Sequence, residues 1–297
     1  MSPPTTKTWI APYLGIGLAW GCSFLFIKLS LDFLTPFGVA FLRSLFGAIT
    51  LVTISRVRRV PLPRDRTVWW HLWVVALFIN VVPGVLFALA ETRTSSIVAG
   101  IINAMTPLTT LFFLTVVFRD ERINRHQVIG LAFGLTGVLT VLGVWRGLGA
   151  NPWWAVAALL AAVTCYGVSF PYARRHLSSR EIEPVALASV QLILASLTLA
   201  PTFLFDGLNT HAPTVRSVAA ILALGVFGSG LAFMWNFQVI AAVGSSVAST
   251  VTYLTPVVAV MVGVVFLHES LVWYEPVGGL LVVIGAAIGQ GRLQRRR

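Results

Sequence analysis

Residues 103–121 read NAMTPLTTLFFLTVVFRDE, and residues 252–270 read TYLTPVVAVMVGVVFLHES. In each, a Thr-Pro pair lies inside an apolar run, and an acidic residue follows the run's end. Thr106-Pro107 and Thr255-Pro256 are 149 residues apart, and Glu121 and Glu269 are 148 apart. A proline in mid-helix removes one N–H and frees the carbonyl four residues earlier, here those of Asn103 and Thr252. A feature that costly, written twice, points to an internal duplication. Other markers recur in the same order. Gly130 and Gly137 return as Gly278 and Gly285, and Pro36 and Arg43 are matched by Pro184 and Gln191. Trp20-Gly21-x-Ser23-Phe24 is echoed by Tyr166-Gly167-x-Ser169-Phe170. The boundary falls near Asn151-Pro152, dividing the chain into residues 1–150 and 151–297.

Composition fixes the class. Hydrophobic residues make up 57 % of the chain and charged residues 10 %, against roughly 25 % charged in soluble domains; mean hydropathy is +0.86. A spanning helix needs about 20 apolar residues. Ten such runs are present: 9–27, 36–54, 68–90, 94–118, 126–144, 152–172, 184–205, 217–239, 245–267 and 272–290. The expected fold is therefore an all-α integral membrane protein of ten transmembrane helices. No small-residue cleavage site follows the first run, so it is expected to be a retained helix. Five helices per half is an odd number, so the second half enters the bilayer from the opposite side. Inverted repeats of this kind mark secondary transporters, with the binding site near the midplane between the repeats.

The formal charge of +11 raises nucleic-acid binding as an alternative, and its distribution argues against that. With ten spans, 16 Lys and Arg residues fall on the side of the termini and four on the other, with Arg43 inside a span. This is the positive-inside pattern, and it predicts cytoplasmic termini. The basic loops lack the interleaved exposed aromatics that single-stranded nucleic acids stack upon. Cys22 and Cys165 lie within runs and imply no disulfide framework.

The paired units, the Trp-Gly-x-Ser-Phe start, the arginine of the second run and the Thr-Pro runs ending in Glu resemble the EamA type of the drug/metabolite transporter superfamily. The resemblance covers about residues 9–290. It implies an inner-membrane carrier, often an exporter of amino acids or related metabolites, with a central cavity lined by helices 1, 3, 4, 6, 8 and 9. It leaves the cargo open, and Gln191 departs from it where an arginine would be the strict match.

The ten acidic and five histidine residues map to loops or helix ends, and Glu91, at the outer end of the third run, is the nearest to a membrane-embedded carboxylate. An ionisable group inside a span is costly and usually functional. Its apparent absence favours a facilitator or exchanger of neutral or zwitterionic solutes, apolar or aromatic amino acids among them. The alternative is a multidrug or cationic-metabolite exporter, with or without proton coupling. Candidate substrate-binding residues are Trp20, Ser23, Asn80, Asn103, Tyr166, Ser169, Trp235, Asn236, Thr252 and Tyr253, polar or aromatic groups of the inner helices. Polar residues also serve as contacts between membrane helices. Arg43 has two readings, attraction of a substrate carboxylate or a structural contact that caps carbonyls or reaches the interface, and the polar Gln191 at the matching position of the other half favours the structural one. Pro107 and Pro256 are candidate hinges. The glycines of the fifth and tenth runs read as close-packing faces. No metal or cofactor is expected, and no nucleophile–base pair or two-histidine zinc motif points to an enzyme. The expected partners are lipid and a small-molecule substrate, with the protein a monomer or weak dimer.

Overall fold

The computed structural model describes residues 8–118, 125–143, 145, 151–178 and 180–290. Glu121, Lys7, Arg119, Arg122, Arg146, Arg292, Arg295, Arg296 and Arg297 lie outside them. The described residues form helices and no strands; one isolated antiparallel bridge joins Leu34 and Leu208. Seven helical stretches are long and apolar enough to cross a membrane, and shorter apolar helices run over Val128–Val141 and Tyr274–Gly285. The protein is a multi-pass membrane protein.

The elements are α1 (Ile10–Ser30), α2 (Pro36–Val57), α3 (Arg66–Ala76), α4 (Val82–Glu91), α5 (Ser96–Asn103), α6 (Thr106–Val116), α7 (Arg125–Val141), α8 (Trp153–Leu177), α9 (Pro184–Asp206), α10 (Val215–Ala223), α11 (Ala232–Ser249), α12 (Leu254–Leu267) and α13 (Tyr274–Gln290). Local chemistry sets many of their starts. Thr35, Asp65 and Ser95 accept from the amides of Gly38, Thr67 and Val98, and Thr214 with Ser217 forms a reciprocal capping box, satisfying first-turn donors. Pro36 and Pro184 open α2 and α9, where the missing N–H costs nothing.

The prolines of the opening motif sit differently from the mid-helix expectation. The backbone breaks at Ala104-Met105, so Pro107 falls in the first turn of α6. A 3₁₀ turn over Thr250–Tyr253 likewise puts Pro256 in the first turn of α12. The preceding threonine answers each proline. Thr106 Oγ1 donates to the carbonyl of Asn103, and Thr255 Oγ1 donates to that of Thr252, both at 2.7 Å. The two breaks also touch, since Asn103 Nδ2 donates to Thr255 Oγ1 at 3.2 Å.

A second difference concerns the runs at 217–239 and 245–267, which are joined by helical backbone from Val215 to Leu267 over 53 residues. At 1.5 Å per residue this is about 80 Å, well beyond the roughly 30 Å of hydrocarbon. The chain turns at Gly244, whose φ of 85° and ψ of 168° break the helix; a positive φ is readily open to glycine.

Two π-helical segments, Leu77–Val81 between α3 and α4 and Leu224–Leu231 between α10 and α11, widen the backbone in mid-span. Helix α2 packs along α9 and the Leu224–Leu231 segment; α1 packs on α11 and α12, and α8 packs on α4 and α6. Helices α7 and α13 meet through glycines: a Cβ on Gly137 would lie 2.7 Å from the carbonyl oxygen of Gly278, and one on Gly278 2.6 Å from that of Gly137. At one end of the molecule Thr35 Oγ1 donates to the Asp206 carbonyl and Asn209 Nδ2 to the Leu34 carbonyl. At the other, Arg180 pairs with Asp65 at 2.6 Å. The Thr67 amide and then Arg180 hold that exposed carboxyl below its ordinary range.

Candidate functional site

Four residues of α1, Trp20, Ser23, Phe24 and Ile27, follow the i, i+3, i+4, i+7 spacing that lines one face of a helix. They form one wall of a narrow central cavity. The other walls are Arg43 of α2, Ile79 of the first π-helical segment, Phe87 of α4, Asn103 of α5, Tyr166 and Phe170 of α8, and Phe233 of α11. Aromatic contacts fix their arrangement. Phe87 stacks on Tyr166 with ring centroids 5.8 Å apart, Phe24 meets Phe87 edge-on at 5.6 Å, and Trp20 tilts against Phe233 at 5.8 Å.

Arg43 is 8 % exposed. Its Nε donates to Ser229 Oγ at 3.0 Å, and Ser229 belongs to the π-helical segment Leu224–Leu231. Arg43 thus joins α2 to that segment and also lines the cavity, so α2 contributes to the wall. The counterpart contact is Gln191 Nε2 donating to Asn80 Oδ1, and Asn80 lies in the other π-helical segment. Helix α12 does not reach the wall directly; Thr255 stands behind Asn103.

Of the ten candidate residues, Trp20, Ser23, Asn103 and Tyr166 meet at this cavity. Asn80 is buried in its bond to Gln191. Ser169 Oγ, Asn236 Oδ1 and the Tyr253 hydroxyl are buried with no hydrogen-bond partner among the described residues. Thr252 turns its hydroxyl to the Ser249 carbonyl. Trp235 packs over Gly15 and lines a separate surface groove with Thr53, Ile54 and Arg58. The apolar members of the wall were missed, although Phe24 and Ile27 continue the stripe of Trp20 and Ser23, and Phe170 continues that of Tyr166. Glu91 is also deeper than a helix end implies. It is 0 % exposed, and neither carboxylate oxygen has a hydrogen-bond partner among the described residues.

The sequence pattern of the EamA-like transporter family matches residues 7–143 and matches again at 153–288. The chain belongs to the EamA-like transporter family. Among similar proteins, an uncharacterized transporter of Archaeoglobus fulgidus is 26 % identical over 291 residues, covering 95 % of this chain and 98 % of that protein. The uncharacterized inner membrane transporter YedA of Escherichia coli is 25 % identical, covering 86 % and 81 %. Protein PagO of Salmonella typhimurium is 24 % identical, covering 84 % and 81 %. A solved crystal structure superposes with a TM-score of 0.71 over 98 % of this chain and 99 % of its own, at 22 % identity, which speaks to the fold alone. This EamA-like chain is accordingly a membrane transporter.

Proposed function

We propose that this EamA-like protein is a secondary transporter of the inner membrane, not an enzyme, and that it moves apolar or aromatic amino acids by alternating access through the central cavity. The single observation that carries the reading is the composition of the cavity wall. Aromatic rings surround one guanidinium, that of Arg43, and none of the described lining residues is a carboxylate. Arg presents a rigid fork of donors suited to a carboxylate, and the rings offer apolar surface for a side chain. An organic cation would meet a like charge there, which costs affinity.

The transport cycle is proposed on two units, residues 1–150 and 151–297, of five spans each in opposite orientation, with both termini in the cytoplasm. Several observations support it. The family pattern matches twice, once in each unit. The first end of α2 is tied to the last residues of α9 through Thr35 and Asp206, while Asp65 beyond α2 is tied to Arg180 before α9. The two matched helices therefore run antiparallel. Equivalent contacts also recur in exchanged form, Arg43 with Ser229 and Gln191 with Asn80. The touching Thr-Pro breaks are the proposed hinges, one from each unit.

The test is exchange by the purified protein in liposomes, with radiolabelled leucine and phenylalanine beside their decarboxylated amines and a set of organic cations. Exchange of the amino acids but not the amines is expected. Preferential flux of the amines or cations would overturn the reading in favour of a cationic-metabolite carrier.

A further inference from the structure

The expectation of an uncoupled carrier rests on the absence of a carboxylate at the centre of any span; Glu91, the last residue of its helix, is nevertheless fully buried. It closes α4 one helical turn beyond Phe87 of the cavity wall, and it has no exposed surface and no donor to either oxygen among the described residues. Burying an ionised carboxylate without hydrogen bonds is strongly unfavourable. Charge-assisted hydrogen bonds lie around it. The Lys28 ammonium of α1 donates to the backbone carbonyls of Glu91 and Thr94 at 2.6 and 2.9 Å. Beside it, Glu269 accepts from the Ser96 amide at 2.9 Å, the Ser96 hydroxyl at 2.8 Å and the Ile97 amide at 3.2 Å, bridging the chain after α12 to the start of α5.

The titratable and charged groups that act on Glu91 are therefore Lys28 from α1, Glu269 from the segment after α12 and Arg43 from α2, with Tyr166 of α8 beside Arg43. None of them donates to its carboxylate.

We infer that Glu91 is a proton-binding site that couples closure of this end of the protein to protonation. In the arrangement with Glu91 buried, the carboxyl oxygen holds the proton. When the Lys28 and Glu269 contacts release, water reaches the group, its O–H bond breaks to give a hydronium ion, and the carboxylate is left beside a freed ammonium. Closing again takes up one proton from water. The site is independent of which solute the cavity carries.

Two experiments on the full chain in liposomes test this. Infrared spectra are taken in a buffer that ionises exposed carboxylates. They should retain the carbonyl band of a neutral carboxylic acid, and Glu91→Gln should remove that band with no solute present. Exchange of leucine should change with the pH of the bath facing Glu91 by up to about tenfold per unit, the slope of one bound proton, and become flat in the variant. A band unchanged in Glu91→Gln, or the same pH profile in both proteins, overturns the proton site. A lack of leucine exchange with the band behaving as expected overturns the solute assignment instead.

Discussion

Arg43 contributes the formal charge on the cavity wall, and its position tells two roles apart. A residue serving Ser229 alone could be replaced by any donor of similar length. A residue that binds a substrate carboxylate cannot, since hydrogen bonds to charged groups are worth about 1.5–3 kcal/mol. Arg43→Gln should therefore weaken apparent affinity for leucine and phenylalanine by roughly tenfold to a hundredfold, with Arg43→Lys in between because an ammonium lacks the fork. Equilibrium binding to purified protein measures this, and gel-filtration profiles control for folding. Equal affinity in all three proteins would return Arg43 to a structural role. The sequence made this arginine conspicuous but not its direction. It lies in a helix whose apolar residues surround it, and no periodicity there distinguishes a lipid face from a cavity face. Glu91 was obscured for a related reason: a run's end is ordinarily wet, and here packing and the Lys28 contacts bury it.

Among the elements, the Thr-Pro breaks join local chemistry to motion. Each proline leaves a carbonyl without its helical donor, and each preceding threonine supplies one at 2.7 Å. Replacing Thr106 or Thr255 by Val keeps the shape and removes the donor, leaving a buried acceptor that costs about 1–3 kcal/mol. Thermal unfolding in detergent should show either variant less stable than the parent. Adding Pro107→Ala to Thr106→Val restores an N–H that can reach the Asn103 carbonyl across a continuous helix. The double variant should recover stability while exchanging more slowly, because the proposed hinge is gone. Recovery of stability with unchanged turnover would leave the prolines as packing features only. The run positions, the recurring prolines and the close-packing glycines were legible because they follow from hydrophobicity and backbone sterics. The π-helical segments were not: they insert one extra residue per turn without altering composition, and they place Asn80 and Ser229 opposite their partners.

At the scale of the whole molecule, inversion makes a demand that no single helix makes. The link between α2 and α3 and the link between α9 and α10 occupy matching positions in the two units, Arg59 standing 148 residues before Gly207. In a parallel duplication they would face the same compartment. In an inverted one they face opposite compartments, and the contacts at the two ends of the molecule keep them apart. Asp65 of the first link is held by Arg180, whereas Asn209 of the second is held by the carbonyls of Leu31 and Leu34. Cys22 and Cys165 are half-buried within helices, so after their replacement by Ala a single cysteine can be introduced at Arg59 or His211. A membrane-impermeant maleimide applied to intact cells should label His211→Cys, and Arg59→Cys should react only after the membrane is opened. The basic Arg56, Arg58, Arg59, Arg64 and Arg66 around the first link predict this sense of orientation, since positively charged loops favour the cytoplasm. Labelling of both positions from one side would exclude inversion and the alternating-access cycle built on it. Labelling in the reverse sense would keep the repeat and turn the protein over, moving the bath that Glu91 faces from the outside to the cytoplasm.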